Sequence, residues 1–251
     1  MKRARGPVRN RLLETLPVGD RDLIVEGLQP FSLERGDVLF EPGQDVANTY
    51  FPGAGTIAAL TLDLREGPAA EAAMIGCDGA IGGVISDGDK PAFARGVVQM
   101  PGFALRLATD VLASARWHSR GLRDHFARYA DCLLAEVLQT VACNTAHAFD
   151  ARLARWLLTL HDGIGHAELS ITQGFIAEML GVERTYATRV IGDLAVRSRK
   201  GVARSPSKIV ASSSARPASA TPGCASTTTE SCPACTRGPR SDTSHAHDLS
   251  T

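Results

Sequence analysis

Apolar positions along this chain change their period several times, and each change marks an element boundary. Over residues 9–28, Leu12, Leu13, Leu16, Leu23, Ile24 and Leu28 recur at helical spacing. Two short helices are expected there, with Asp20 placed to cap the second. From Phe31 the pattern shortens to strand-like runs separated by Gly and Pro. FSLERGDVLFEPGQ has turns at Arg35-Gly36-Asp37 and Pro42-Gly43, and YFPGAGTIAALTL, AAEAAMIGCDGAIGG and ARGVVQMPGFALRL follow. Strands of that length and spacing predict a small β-barrel or jelly roll.

Helical period returns over residues 109–147. Leu122, Phe126, Tyr129, Leu133, Val137, Leu138 and Val141 recur at steps of three and four. They form one apolar stripe of about six turns at ~3.6 residues per turn. Two readings stand side by side. The stripe is long enough for two copies to associate along it, or the helix packs on its own roll. A further helix is expected next, capped by Asp150 and ending at Gly163, with Leu153, Trp156, Leu157 and Leu160 buried.

The stretch TQGFIAEMLGVERTYATRVIGDL, from Thr172 to Leu194, reads as a helix-turn-helix. Ile176, Leu180, Val182, Ala187 and Val190 are apolar where two crossed helices must pack, and Ala177 is small where they come closest. Gly181 stands in the turn, where a positive φ costs glycine nothing. Arg184, Thr185, Thr188 and Arg189 project from the opposite face; arginine suits both guanine edges and phosphates. The plainer alternative is a buried helical hairpin with a solvated basic face. After the motif, GVARSPSKIV fits a β-hairpin turning at Ser205-Pro206-Ser207, a wing with Arg204 and Lys208 near its tip.

Charge favours the DNA-reading alternative. The chain is balanced overall, with 27 basic and 27 acidic residues. Yet Glu183 to Lys208 holds seven basic residues (Arg184, Arg189, Arg197, Arg199, Lys200, Arg204, Lys208) against Glu183 and Asp193. Such a concentrated patch beside a groove-reading helix is the electrostatic footprint of nucleic-acid binding.

Composition sets outer bounds. At 251 residues and 44% apolar content, two ordinary domains fit. No apolar run reaches the ~18 residues of a membrane span, and MKRARGPVRNRLLETL lacks the apolar core of a signal peptide. A cytoplasmic location and no membrane partner are expected. Cys77, Cys132 and Cys143 read as ordinary thiols; Cys232 and Cys235 form a CxxC without a fold around it. No metal site is expected. No Gly-rich phosphate loop ending in Gly-Lys-Ser/Thr, no His-Glu-x-x-His and no Gly-x-Ser-x-Gly occurs, so no enzyme is expected.

The order of elements resembles the Crp/Fnr family of bacterial transcription regulators. The resemblance rests on RGDVLFEPGQ with YFPGAGTI, on MIGCDGAIG and on ITQGFIAEMLGVERTYATRVI, and covers about residues 8–210. It implies an α+β fold with a cyclic-nucleotide-binding-like β-roll (jelly-roll-like) sensor domain over 1–115 and a long dimerisation helix over 116–148. A winged helix-turn-helix over 149–210 and a disordered tail over 211–251 complete it. It further implies a homodimer through helix 116–148 on double-stranded DNA, with the helix from Val182 to about Leu194 in the major groove. RNA polymerase and an unknown small-molecule effector are expected partners. The implied DNA contacts are Thr172, Gln173, Arg184, Thr185, Tyr186, Thr188, Arg189, Arg204 and Lys208. Thr185 stands where many members have Glu, and Gly174 where an acidic or polar helix former is usual. The rival function is a ligand-binding sensor module without functional DNA binding.

In members that bind cyclic nucleotides, a Gly-Glu stretch followed by Arg-Ser or Arg-Thr holds the ribose and phosphate. Here Gly76, Asp78, Gly79, Gly82 and Gly83 give a glycine-rich candidate pocket, with Arg95 its candidate cation. The Glu is missing and Arg95 precedes Gly96 rather than a hydroxyl residue, so no cyclic nucleotide and no other cofactor is expected. No Cys cluster precedes the roll to hold iron and sulfur. His118 and His125 are candidate haem ligands, although lone histidines on a helix are more often solvated or hydrogen-bonded.

From Ala211 the composition changes. Residues 211–251 hold nine Ser, seven Thr, seven Ala and four Pro, with Leu249 the single large aliphatic residue. Such a segment cannot bury enough apolar surface to offset its ordering entropy. A sharper expectation is an aberrant tail created by a reading-frame shift just after Val210, because the strand-like Lys208-Ile209-Val210 breaks off where a wing should continue. Codons for STTTESCPACTR, shifted by two bases, also permit Tyr-Asp-Tyr-Arg-Val-Met-Pro-Gly-Val-Tyr-Pro. The nucleotide sequence of the gene decides it.

Overall fold

The computed structural model describes residues 8–63, 69–84, 91–165, 171–197, 202–205 and 208–211. The 211–251 tail, Ala211 apart, and the Cys232–Cys235 pair lie outside the described residues. Two short helices, α1 (Arg11–Glu14) and α2 (Val18–Val25), precede seven strands. These are β1 (Gln29–Leu33), β2 (Val38–Phe40), β3 (Asn48–Pro52), β4 (Ile57–Leu62), β5 (Ala70–Ile75), β6 (Arg95–Met100) and β7 (Gly102–Ala108). They form two antiparallel sheets, β1-β7-β3 and β2-β6-β4-β5. Between them lies a core of Leu33, Phe40, Tyr50, Ala58, Ile75, Ile81 and Val98. The predicted turns are present: Gly36 and Gly43 take φ of 88° and 83°.

Asp20 does not cap α2. Pro17 holds the cap position, and Asp20 lies in the first turn, where the helix dipole also favours an acid. Its carboxylate instead accepts from Ser119 Oγ at 2.5 Å. The cap of α1 is Asn10. Its Oδ1 accepts from Leu13 N–H at 3.2 Å, while its Nδ2 donates to the carbonyls of Pro52 and Gly79, both at 2.9 Å.

The expected helix over 109–147 is broken in two. Helix α3 (Thr109–His118) ends and α4 (Arg120–Ala146) begins at Ser119, whose backbone is extended. The Ser119 hydroxyl accepts from Leu122 N–H at 3.0 Å and so caps α4. The long helix therefore starts at Arg120, not at residue 116. The first half of its stripe seals the molecule's own roll: Leu122, Phe126 and Leu133 are buried, and Tyr129 both accepts from Ala80 N–H (2.9 Å) and donates to Ala80 O (2.8 Å). Beyond Leu133, Val137 still packs on the roll core, whereas Leu134, Leu138 and Val141 are exposed by 56%, 60% and 56%. Both histidines are held by backbone carbonyls: His118 Nδ1 is 2.7 Å from Ser114 O, and His125 Nε2 is 3.1 Å from Leu12 O.

Helix α5 (Phe149–Ile164) follows. Ala148 is its N-cap, Asp150 sits inside the first turn, and Gly165, not Gly163, ends it with φ of 75°. Gly163 instead lies against Gly76 of the roll, and Cys77 N–H donates to Gly163 O at 2.7 Å. Trp156 Nε1 donates to Glu71 Oε1 at 3.0 Å, and Gln99 Nε2 to the other oxygen at 2.9 Å. The remaining elements are α6 (Gln173–Met179), α7 (Arg184–Arg197) and a hairpin of β8 (Val202–Ser205) and β9 (Lys208–Ala211).

Candidate nucleic-acid interface

Helix α6 opens at Thr172, whose hydroxyl accepts from Phe175 N–H at 3.2 Å. Apolar residues at helical spacing then commit one face to the core. Phe175, Ile176 and Ala177 are buried with Ala187 and Ile191 of α7. This cluster is continuous with Phe149, Leu153, Trp156, Leu160 and Ile164 of α5, and it reaches Ile57 and Met74 of the roll. Leu180, Val182 and Val190 pack on its margin. Burying one such side chain is worth roughly 1.5–3 kcal/mol, so α7 is held by its inward face and not by propensity alone.

The turn works as its sequence suggests. Gly181 has φ of 62°, and a Cβ there would meet nothing within 4 Å, so the glycine serves the backbone angle. Val182 N–H donates to Ala177 O at 3.0 Å, which closes the turn. The outward face of α7 then carries Arg184, Thr185, Thr188 and Arg189, all exposed.

Four contacts order this face. Thr188 Oγ lies 2.8 Å from Arg184 O and 2.9 Å from Gln173 Oε1. Its one proton serves a single acceptor; with the Gln173 amide turned over, the amide donates to the hydroxyl and both bonds form. The Arg189 guanidinium sits over the Tyr186 ring, 5.3 Å from its centroid. The Tyr186 ring in turn lies 5.1 Å from that of Phe149, tilted by 50°. Thr172, Gln173, Arg184, Thr185, Tyr186, Thr188 and Arg189 are thus gathered on the two motif helices. Arg204 and Lys208 occupy the turn-proximal half of the hairpin, where Arg204 pairs with Ile209 and Ser205 with Lys208. Arg199 and Lys200 lie outside the described residues.

Comparison with known proteins fits this geometry. Residues 151–202 match the Crp-like helix-turn-helix domain. The fold is similar to a transcriptional regulator of the Crp/Fnr family from Eubacterium rectale, 17% identical with a TM-score of 0.56 over 80% of this chain and 92% of that one. It is similar to FixK2 from Bradyrhizobium japonicum, 12% identical with a TM-score of 0.63 over 74% and 92%. It is also similar to the c-di-GMP responsive global regulator CLP of Xanthomonas campestris, 13% identical with a TM-score of 0.58 over 78% and 99%. No curated protein matches the sequence. The chain has the Crp/Fnr fold, with a Crp-like helix-turn-helix at residues 151–202. The family match supports DNA binding by residues 151–202. None of the described helices is long and apolar enough to cross a membrane.

Within this Crp/Fnr fold the glycine-rich candidate pocket is filled by protein. A Cβ on Gly76 would strike the Gly163 backbone, one on Gly79 would come within 2.6 Å of the Tyr129 hydroxyl, and one on Gly82 within 2.5 Å of Asn48 O. Gly83 lies against Thr109. Asp78 is half-buried, and burial pushes its carboxyl above the usual range, with Arg11 opposing. Arg95 is bound to Glu41 at 2.7 Å and to Asp63 at 3.4 Å. These six residues are brought together as a packed turn and an ion-paired strand residue, not as a cradle of free donors.

Sequence reading passed over Phe175 and Ile191 as core residues, although Ile191 follows Ala187 by four. It also passed over Arg35, whose guanidinium lies 5.1 Å from the Phe175 ring centroid and links the β1–β2 turn to α6. No local signal marks a pairing between residues so far apart.

Proposed function

We propose that this protein is a dimeric, sequence-specific DNA reader that inserts α7 into the major groove. One observation carries the reading. Arg184, Thr185, Thr188 and Arg189 stand exposed on the face of a helix whose other face is locked in the core by Ala187 and Ile191. Arginines on such a helix can contact guanine O6 and N7 in pairs, and threonines can serve either base or phosphate. Arg204 and Lys208, on the hairpin that follows, would act as a wing that grips the adjacent backbone.

Dimerisation is proposed along the second half of α4. Leu134, Leu138 and Val141 repeat at i, i+4 and i+7 and are exposed, so an apolar row continues beyond the roll it seals. A two-fold axis there would present two copies of α7 to two half-sites. Selection of duplexes from a randomised pool by the full chain tests the whole reading. An enriched site with two-fold symmetry is expected. Enrichment of an unsymmetrical site, together with a Leu138→Glu variant that sediments like the parent, would overturn the dimer.

A further inference from the structure

Among the described side chains, the outward face of α7 carries two exposed arginines, Arg184 and Arg189, and the structure treats them differently. Arg189 lies over the ring of Tyr186, three residues earlier on the same helix, with its guanidinium carbon 5.3 Å from the ring centroid. That ring is itself seated: its centroid is 5.1 Å from that of Phe149. Phe149 is buried at the first turn of α5, where the chain leaves α4. Tyr186 is 39% exposed, so one side of the ring faces Phe149 while the rest supports the arginine at the surface. Among the described residues no ring lies under Arg184.

Stacking matters for what an arginine can do. A free arginine on a helix surface loses rotamer freedom when it is fixed in a contact. A guanidinium already resting over a ring has given up part of that freedom, while its N–H edge stays available. A fork held in one plane suits a paired acceptor such as guanine O6 and N7. A phosphate accepts from many directions and gains little from such orientation.

Resting on the DNA-reading assignment above, we propose that Tyr186 is a positioning residue. Braced by Phe149, it orients the Arg189 guanidinium for a paired contact with a base, and so sets sequence preference without itself touching the base.

The test uses the full chain and the duplex that the parent protein selects. Affinity is measured for that duplex and for its single-base-pair variants, each over a range of salt. In the parent, one base pair per half-site depends on Arg189, and Arg189→Ala abolishes that preference. Tyr186→Leu is expected to lower the preference at the same base pair about tenfold, with the salt slope unchanged. Tyr186→Phe keeps the ring and keeps the preference. Arg189→Lys keeps the charge and the salt slope but loses the preference; it leaves the aromatic pair intact, so it reads out even if Tyr186→Leu does not fold. Full preference in folded Tyr186→Leu or in Arg189→Lys overturns the proposal. Loss of preference in Tyr186→Phe also overturns it, because the hydroxyl would then be the contact. A parent that enriches no sequence overturns the DNA-reading assignment itself, and this proposal with it.

Discussion

The Gly76–Gly83 turn of the roll and the α6–α7 motif are both glycine-bearing segments with the composition of a ligand site, yet the fold uses them in opposite ways. In the roll, Gly76 and Gly79 are small because Gly163 and Tyr129 press against them, and Gly82 and Gly83, pressed by Asn48 and Thr109, also take positive φ of 93° and 62°. In the motif, Gly181 and Gly192 have nothing within 4 Å of an added Cβ. The first segment is closed by protein and the second keeps its polar face to solvent. A cluster of glycines therefore signals close approach of some partner, and that partner can be the protein's own backbone as readily as a phosphate.

The sharpest way to break this contrast is to add one methyl group. Gly76→Ala drives a Cβ into the Gly163 backbone, where neither side can rotate away. A loss of about 3 kcal/mol or more in chemical denaturation is expected, at the upper end of overpacking costs. A change under about 0.5 kcal/mol would show that the α5–roll contact is looser than described.

The closed region also buries charge. Glu136 of α4 reaches the β5 edge and accepts from Met74 N–H. Burial pushes its carboxyl up to about 7; Asp78 and Glu71 add to that, while Arg155 opposes it. The sign follows from proton uptake. Between an unfolded value near ~4.3 and the folded value, the native state holds the extra proton, so stability falls as pH rises through that window. Glu136→Gln removes the penalty. The variant should exceed the parent by up to about 3 kcal/mol at pH 8 and converge with it below about pH 4.5. A difference independent of pH would contradict the buried, protonated carboxyl.

The motif glycines should respond more mildly and in opposite directions. Gly181→Ala has space but the wrong φ, and a loss of roughly 1–2 kcal/mol is expected. Gly192→Ala has both space and a helical backbone within α7, and a gain of up to about 1 kcal/mol is expected. Opposite signs in one unfolding series would separate backbone angle from packing.

These particulars show where sequence was enough. The α6–α7 register was legible because Ala177, Gly181 and Ala187 act within one short stretch, through close packing, a turn angle and a 3.6-residue period. The roll was legible from its Gly and Pro turns. The break at Ser119 was missed although Ser119 is a good cap, because an unbroken stripe looked like one helix. Asp20 and Asp150 lie three and two residues beyond the caps, Pro17 and Ala148; an acid in the first turn and an acid at the cap look alike in sequence. The packed state of Gly76 was not legible at all, because its partner Gly163 is remote in the chain. Of the α4 stripe, Leu122, Phe126, Leu133 and, in part, Val137 cover the roll, whereas Leu138 and Val141 are exposed. The Phe149–Tyr186–Arg189 relay combines a local spacing of three with one distant contact, so only its second half could have been foreseen.

The most direct test of the DNA-reading assignment is fluorescence anisotropy of the full chain on labelled duplex from its own upstream region, against random duplex, with the Arg184→Ala/Arg189→Ala double variant alongside. The expected result is tighter binding to the upstream duplex, with the double variant losing about a hundredfold or more on it and falling to the random-duplex level. Equal affinity for both duplexes, unchanged in the double variant, would contradict the assignment.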